Sequence, residues 1–236
     1  MIDLKNNRIM VFGDSVLKGV MYINDGARGK YKLYSGTLEE RMADRGIELT
    51  RCCHMGATID AGLERMRRML AKGTSFADTT VMFEFGGNDC AYNWQEVSAS
   101  PEAHHEPKNN IHRFISLYKE AIEQARSAGA NVMISSLVPI DAAKYMDHIT
   151  RGLSYENILG WLGDINMLYR WHEGYNRAIE QLADECRIPL FDLRGEFLYT
   201  HAFKGLIGDD GIHPTAEGHK MIEDILVSSL SAAGAA

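Results

Sequence analysis

A serine, a histidine and a carboxylate that lie far apart in a sequence make one nucleophilic centre when a fold brings them together, and this chain offers such a set. Ser15 stands in Phe12-Gly13-Asp14-Ser15, directly after the apolar run Ile9-Met10-Val11-Phe12. Near the other end, Asp210-Gly211-Ile212-His213 places a carboxylate three residues before an imidazole. Between them lie Gly56, in His54-Met55-Gly56-Ala57, and Asn88, in Gly86-Gly87-Asn88-Asp89. A serine hydroxyl is a poor nucleophile until a base takes its proton, and histidine can take it near neutral pH. A carboxylate on the other ring nitrogen fixes the tautomer that the base needs. Asp210 is close enough to His213 to do this locally, and the spacing favours it over Asp209. The oxyanion formed on attack needs donors already aimed at it. The backbone N–H groups of Ser15 and Gly56 and the side-chain amide of Asn88 could supply them.

Each piece also has an ordinary reading. Ser15 could merely cap a turn, Gly56 could be a turn glycine and Asn88 an Asx-turn residue. Asp210-Gly211 could be a turn that leads into a helix starting at Pro214. That turn and the catalytic reading are compatible, because the turn can be what presents His213. Asp14 and Asp89 read as structural, binding loop backbone or capping a helix. His104 and His105 are adjacent and have no partner at ligand spacing, so no metal is expected. Cys52 and Cys53 read as buried thiols at a strand end rather than as nucleophiles.

The elements around these residues decide between the readings. Candidate strands are Arg8–Phe12, Glu48–Cys52, Thr79–Phe85, Asn131–Ser136 and Ile188–Phe191. Helical patterns alternate with them. Ile59, Leu63, Met66 and Leu70 share one helix face, and so do Ile111, Phe114, Ile115, Tyr118, Ile122 and Ala125. Ile222, Ile225, Leu226 and Leu230 stripe a last helix after Pro214. Alternating β and α units imply an α/β fold, a three-layer α/β/α sandwich with a flavodoxin-like, parallel five-stranded sheet. In such a sheet ligands bind outside the carboxyl ends of the strands. Ser15, Gly56 and Asn88 follow strands one, two and three, and Asp210 and His213 precede the last helix. All should therefore converge on one edge.

The chain's 236 residues suit a single domain over 1–236, with an aromatic-rich insert at about 137–172. That insert carries Tyr145, Met146, Tyr155, Trp161, Tyr169 and Trp171. A polar loop at 90–108 adds Tyr92 and Trp94, which are candidate substrate-binding residues near the third strand end. Long inserts after strand ends commonly cover a site. The net charge is 25 − 32 = −7 and no long basic run occurs, so nucleic acid is not an expected partner. Four cysteines without a CxxC pair argue against a disulfide framework or a zinc site. No stretch is long and apolar enough to span a bilayer. The N-terminal residues lack the apolar run of a signal peptide, and the expected location is cytoplasmic. A homo-oligomer is compatible with the sequence. A short alanine-rich tail closes the chain at 232–236.

The four blocks, Gly13-Asp14-Ser15, Gly56, Gly86-Gly87-Asn88-Asp89 and Asp210-Gly211-Ile212-His213-Pro214, resemble in order those of the SGNH (GDSL-type) hydrolases. Val16 replaces the leucine of that family's alternative name. The resemblance implies an esterase with Ser15 as nucleophile, His213 as general base and Asp210 as its orienter. It also implies an oxyanion hole of Ser15, Gly56 and Asn88, and no metal or organic cofactor. The expected substrate is a small-molecule carboxylic ester with a small acyl group, such as an acetylated carbohydrate, cleaved through an acyl-enzyme. Lysophospholipase, acyl-thioesterase or acyltransferase activity at the same site is the alternative. A non-catalytic binding module is the alternative of another class. There is no G-x-S-x-G elbow, no G-x-x-x-x-G-K-[ST] and no G-x-G-x-x-G.

Overall fold

A computed structural model of the chain describes residues 2–3, 6–24 and 29–231. The alanine-rich tail at 232–236 lies outside the described residues. After a short strand β1 (Ile2–Asp3), the chain enters β2 (Arg8–Gly13), a four-residue helix α1 (Ser15–Lys18) and a hairpin of β3 (Val20–Ile23) and β4 (Lys30–Leu33). Helix α2 (Leu38–Ala43) leads to β5 (Glu48–Arg51), α3 (Ile59–Ala71) and β6 (Thr80–Glu84). A loop with α4 (Trp94–Ala99) precedes α5 (Ile111–Ser127) and β7 (Asn131–Ser135). Then come α6 (Ala142–Ile149), α7 (Tyr155–Leu162), α8 (Asn166–Cys186) and β8 (Leu190–Phe191). The chain closes with α9 (Leu193–Tyr199), α10 (Phe203–Leu206), α11 (Ala216–Ser229) and β9 (Leu230–Ser231), which pairs with β1.

The central sheet has five parallel strands in the order β5-β2-β6-β7-β8. The five expected strands are these five, with ends shifted by no more than two residues. The first strand lies inside the sheet, and the chain runs from it to one side and then to the other. Loops leaving β2 and β6 therefore flank the switch point where such sheets form crevices.

Strand alternation sorts side chains into two cores. Met10 and Phe12 of β2 join a cluster with Leu63 and Met66 of α3, Phe114 and Tyr118 of α5, and Ile179 and Leu182 of α8. Ile9 and Val11 face the other way, against Met42 of α2, Phe197 of α9 and Ile222 and Leu226 of α11. Each aromatic or aliphatic side chain buried in these layers is worth about 1.5–3 kcal/mol. That is why the outward faces of the helices can be polar while the strands read as continuous apolar runs.

Two features differ from the sequence-based expectation. The β3–β4 hairpin lies between the first two sheet strands, where none was expected. Its local signal is present: Val20-Met21-Tyr22-Ile23 and Lys30-Tyr31-Lys32-Leu33 flank a segment containing Asp25-Gly26. The expected insert also ends too late. Its last residues are the first turns of α8, which buries Leu168, His172, Tyr175 and Ile179 at helical spacing. The rest of the insert forms α6 and α7. These helices pack with α4 around Val97, Ile140, Met146, Ile158 and Leu162.

Candidate active site

β2 ends at Gly13, where a Cβ would lie 3.0 Å from the Glu84 carboxylate oxygen of the neighbouring strand end. The chain then turns at once into α1. Asp14 caps this helix, its Oδ1 accepting the Val16 N–H at 2.8 Å. Gly19 closes it at φ 87°. Ser15 is thus the first residue of a one-turn helix at the switch point, with its backbone N–H free of the helical ladder.

Asp210 and His213 share one turn. Asp210 is fully buried, and its Oδ1 accepts the N–H groups of Ile212 (3.2 Å) and His213 (3.1 Å). Its Oδ2 meets Nδ1 of His213 at 2.6 Å. Burial pushes the Asp210 carboxyl up, but the His213 ring and these backbone donors outweigh it and hold the group below its ordinary value. Gly211 sits at φ 77°, and a Cβ there would run into the backbone nitrogen of Tyr145, so only glycine fits this turn. On the far side of the imidazole, Nε2 lies 2.9 Å from the Ser15 hydroxyl. The two residues are 198 positions apart in the chain. A carboxylate on Nδ1 fixes the proton there and leaves Nε2 as the acceptor for the serine proton.

The oxyanion candidates flank this pair. Gly56 occupies the left-handed region at φ 75° in the turn after β5. Asn88 follows β6, and its side-chain amide donates to Oδ2 of Asp14 at 2.8 Å. One amide hydrogen is thereby fixed, and the rotamer of the other follows from it. Behind Asp14 stands Glu84, buried at the end of β6, with Oε2 accepting the Asp14 N–H at 3.3 Å. Burial, and then the nearby Asp14 charge, push the Glu84 carboxyl well above its ordinary value. Burial also raises the Asp14 carboxyl, while the Val16 N–H, the His213 ring and the Asn88 amide favour its charged form. Asp89 turns away from the site. Its Oδ1 takes the first N–H of α3, from Ile59, at 3.1 Å and the Asn109 amide at 2.7 Å. Asp14 and Asp89 thus have the capping roles expected of them.

A cavity of about 210 Å³ opens over Ser15 and His213. Gly56, Asn88, Met55 and Tyr31 line its near side. Leu137, Val138, Ile140, Leu168, Trp171 and Ile212 build its apolar wall. The insert therefore covers the strand ends, in keeping with its length. Arg194 pins the base of this wall: it is buried, donates to Leu137 O at 3.1 Å and to the Tyr169 hydroxyl at 2.8 Å, and pairs with Glu173.

Of the two aromatic residues expected near substrate, Trp94 lines the cavity and Tyr92 does not. Tyr92 stacks behind the wall, 4.6 Å from the Trp171 ring and 4.9 Å from Trp161. Its ring packs there against the two tryptophans rather than lining the cavity. Tyr31 was missed. Its ring meets His213 edge-on at 5.2 Å, and it comes from the unrecognised hairpin. The thiol of Cys53 is buried and pushed far up, mainly by burial, so it is no nucleophile.

Comparison with known proteins fits this geometry. The family model of GDSL-like lipases and acylhydrolases matches residues 11–221. The chain belongs to this family. It is an ester-hydrolysing enzyme, and the match runs from β2 into α11, so it takes in every block described above. No curated protein matches the chain significantly. Among solved structures, the acylhydrolase is similar in fold to a lipase/acylhydrolase from Enterococcus faecalis. That pair has 14% identity and a TM-score of 0.62, with 94% of each chain covered. It is also similar to the acetyl xylan esterase AlAXEase, at 23% identity and a TM-score of 0.59, covering 94% of this chain and 98% of the other. A third is the psychrotrophic esterase EstA from Pseudoalteromonas sp., at 14% identity and a TM-score of 0.59, covering 95% and 96%. These likenesses concern the fold.

Among the described residues, no helix of this acylhydrolase is long and apolar enough to cross a membrane. Nor does any group of three or more His, Cys, Asp or Glu side chains converge as a metal site among them. His104 pairs with Glu106, and His105 meets the Ser100 carbonyl. Ester hydrolysis is accordingly expected to persist in excess EDTA. Loss on chelation that zinc restores would overturn this.

Proposed function

We propose that the protein is a serine esterase that cleaves carboxylic esters of small acyl groups through an acyl-enzyme, working as a single domain. The observation that carries the reading is the continuous line Asp210–His213–Ser15, at 2.6 and 2.9 Å, at the floor of a cavity. In the first half-reaction the Ser15 oxygen attacks the ester carbonyl and its proton passes to Nε2 of His213. The N–H groups of Ser15 and Gly56 and the amide of Asn88 take the oxyanion. The tetrahedral species collapses, and the alcohol leaves with the proton from His213. In the second half-reaction His213 takes a proton from water, the hydroxide attacks the acyl carbon, and the freed serine oxygen recovers the proton.

Acyl size follows from the wall. Leu137, Val138 and Leu168 are buried, Arg194 holds the Leu137 carbonyl at the base of the wall, and the whole cavity measures only about 210 Å³. The acetyl xylan esterase among the similar folds supports an acetyl ester of a polar alcohol, such as a sugar. A filled apolar pocket discriminates by about 1–3 kcal/mol per methylene. Across a panel of p-nitrophenyl esters from acetyl to palmitoyl, kcat/KM should be highest at acetyl to butyryl. It should fall steeply beyond about six carbons on the same basis. A maximum at long chains would overturn the small-acyl reading and favour a lipid or thioester substrate.

A further inference from the structure

A second cavity, of about 280 Å³, adjoins the first, and Met55 and Gly56 line both. Its walls come from the ends of β2 and β5 and the first turns of α3. Among the described residues, its charged and ionisable lining groups are His54, Arg65, Arg68 and the Cys52 thiol, and none is a carboxylate. The Lys18 charge acts on His54 from the neighbouring α1. This concentration of cations is unusual in a chain of net charge −7.

The arrangement is built rather than scattered. Nε2 of His54 meets the Arg65 guanidinium at 3.0 Å. Burial first, and then the charges of Arg65, Lys18 and Arg68, lower the His54 pKa below its ordinary value. A neutral imidazole so placed accepts from Arg65 and orients it without cancelling its charge. Among the described residues Arg65 and Lys18 make no ion pair, and Nε of Arg65 has no hydrogen-bond partner. Arg68 reaches a carboxylate only at 3.8 Å, to Glu64 one turn away. Some other surface arginines are closely paired, as Arg51 with Glu39 and Arg170 with Asp164.

We infer that this flank is an oxyanion-bearing-substrate subsite: the enzyme's ester carries a carboxylate or phosphate group, which Arg65, steadied by His54 and helped by Arg68 and Lys18, holds beside the Gly56 turn. The inference rests on the esterase reading and names its substrate class. The ester carbonyl sits at Ser15 and Gly56. The small acyl group lies against the Leu137–Trp171 wall, and the alcohol part extends across Met55 towards the cations. A planar guanidinium pairs with two oxygens of a carboxylate or phosphate, which suits this role better than a lone ammonium.

The test uses acetyl esters matched in shape and differing in charge: 4-acetoxybenzamide, 4-acetoxybenzoate and 4-acetoxyphenyl phosphate. The wild-type enzyme should favour the anionic esters about tenfold in kcat/KM, mainly through KM. That preference should shrink as salt rises from low to high ionic strength, because exposed charges are screened. Arg65→Gln should bring the ratio close to one, and Arg68→Gln should lower it partway, with the benzamide ester changed far less than its partners. The two anionic arms separate carboxylate from phosphate. Equal kcat/KM for the benzamide and both anions in the wild type, or an equal loss on all three esters in Arg65→Gln, would overturn the subsite and leave α3 with an ordinary solvated face. A binding arm stands apart from turnover. The Ser15→Ala protein should bind 4-acetoxybenzoate about tenfold more tightly than the benzamide in an NMR titration, and the Ser15→Ala, Arg65→Gln double variant should not. Failure of hydrolysis with this preference intact would strike the esterase reading alone.

Discussion

Ser15→Ala is expected to lower ester hydrolysis by about five to six powers of ten while leaving the fold intact. The size follows from what the substitution removes. Without the hydroxyl there is no covalent intermediate, and residues that act as one unit lose nearly all their joint effect when any one of them goes. What remains is background from the donors around the oxyanion. The fold should survive because, among the described residues, the Ser15 side chain makes a single hydrogen bond, to His213, and the start of α1 is held by its neighbours. Asp14 caps the helix, Gly19 closes it and Glu84 anchors the Asp14 N–H. The checks are p-nitrophenyl acetate turnover, labelling by a fluorophosphonate and a melting curve. The wild type should label and the variant should not, at nearly the same Tm. Turnover by Ser15→Ala near the wild-type rate would falsify the nucleophile assignment. A binding protein without catalysis would show no labelling of either form.

The sheet was legible because its strands are buried on both faces. Ile9-Met10-Val11-Phe12 and Val81-Met82-Phe83 feed both cores at once, so they appear as unbroken apolar runs. The candidate site was legible for a different reason. Gly56, Asn88, Asp210 and His213 sit in turns and loops and Ser15 begins a one-turn helix, where few residue types satisfy the backbone. Turn geometry alone does not call for a nucleophile, an amide and an Asp–His pair at the ends of neighbouring strands. The wall of the cavity was not legible. Leu137, Val138, Leu168 and Trp171 reach it from a strand end and a helix whose register depends on how α6 and α7 pack against α4. No local spacing encodes that. Tyr92 illustrates the same limit. Its position after the third strand suggested substrate contact, yet Trp161 and Trp171, about seventy to eighty residues on, supply the partners that draw its ring into packing. Tyr31 is the opposite case. The alternation of Lys30-Tyr31-Lys32-Leu33 is a usable strand signal, and the site residue on it was overlooked with the hairpin.

Asn88→Ala is expected to lower kcat by about 10²–10³, corresponding to about 2.7–4 kcal/mol of lost oxyanion stabilisation, with a much smaller change in KM. The split follows from when the charge appears. The substrate carbonyl carries little charge in the ground state, so the amide contributes little to binding. In the tetrahedral state the oxygen is anionic, and a donor already aimed at it then contributes most. The structure adds a reason for the amide to be effective in advance. One Asn88 hydrogen is already bound to Asp14 at 2.8 Å, and Asp14 is itself fixed by the Val16 N–H and by Glu84. The rotamer is set before substrate arrives, so no reorganisation is needed during the reaction. Asn88 is also less deeply buried than Asp14, and the bond to Asp14 is what ties its side chain to the fold, so the fold should tolerate its loss. The measurement is steady-state kinetics on an acetyl ester together with the melting temperature. A rise in KM with kcat unchanged would make Asn88 a substrate-holding residue. A fall in Tm large enough to account for the lost activity would make it a strut for Asp14.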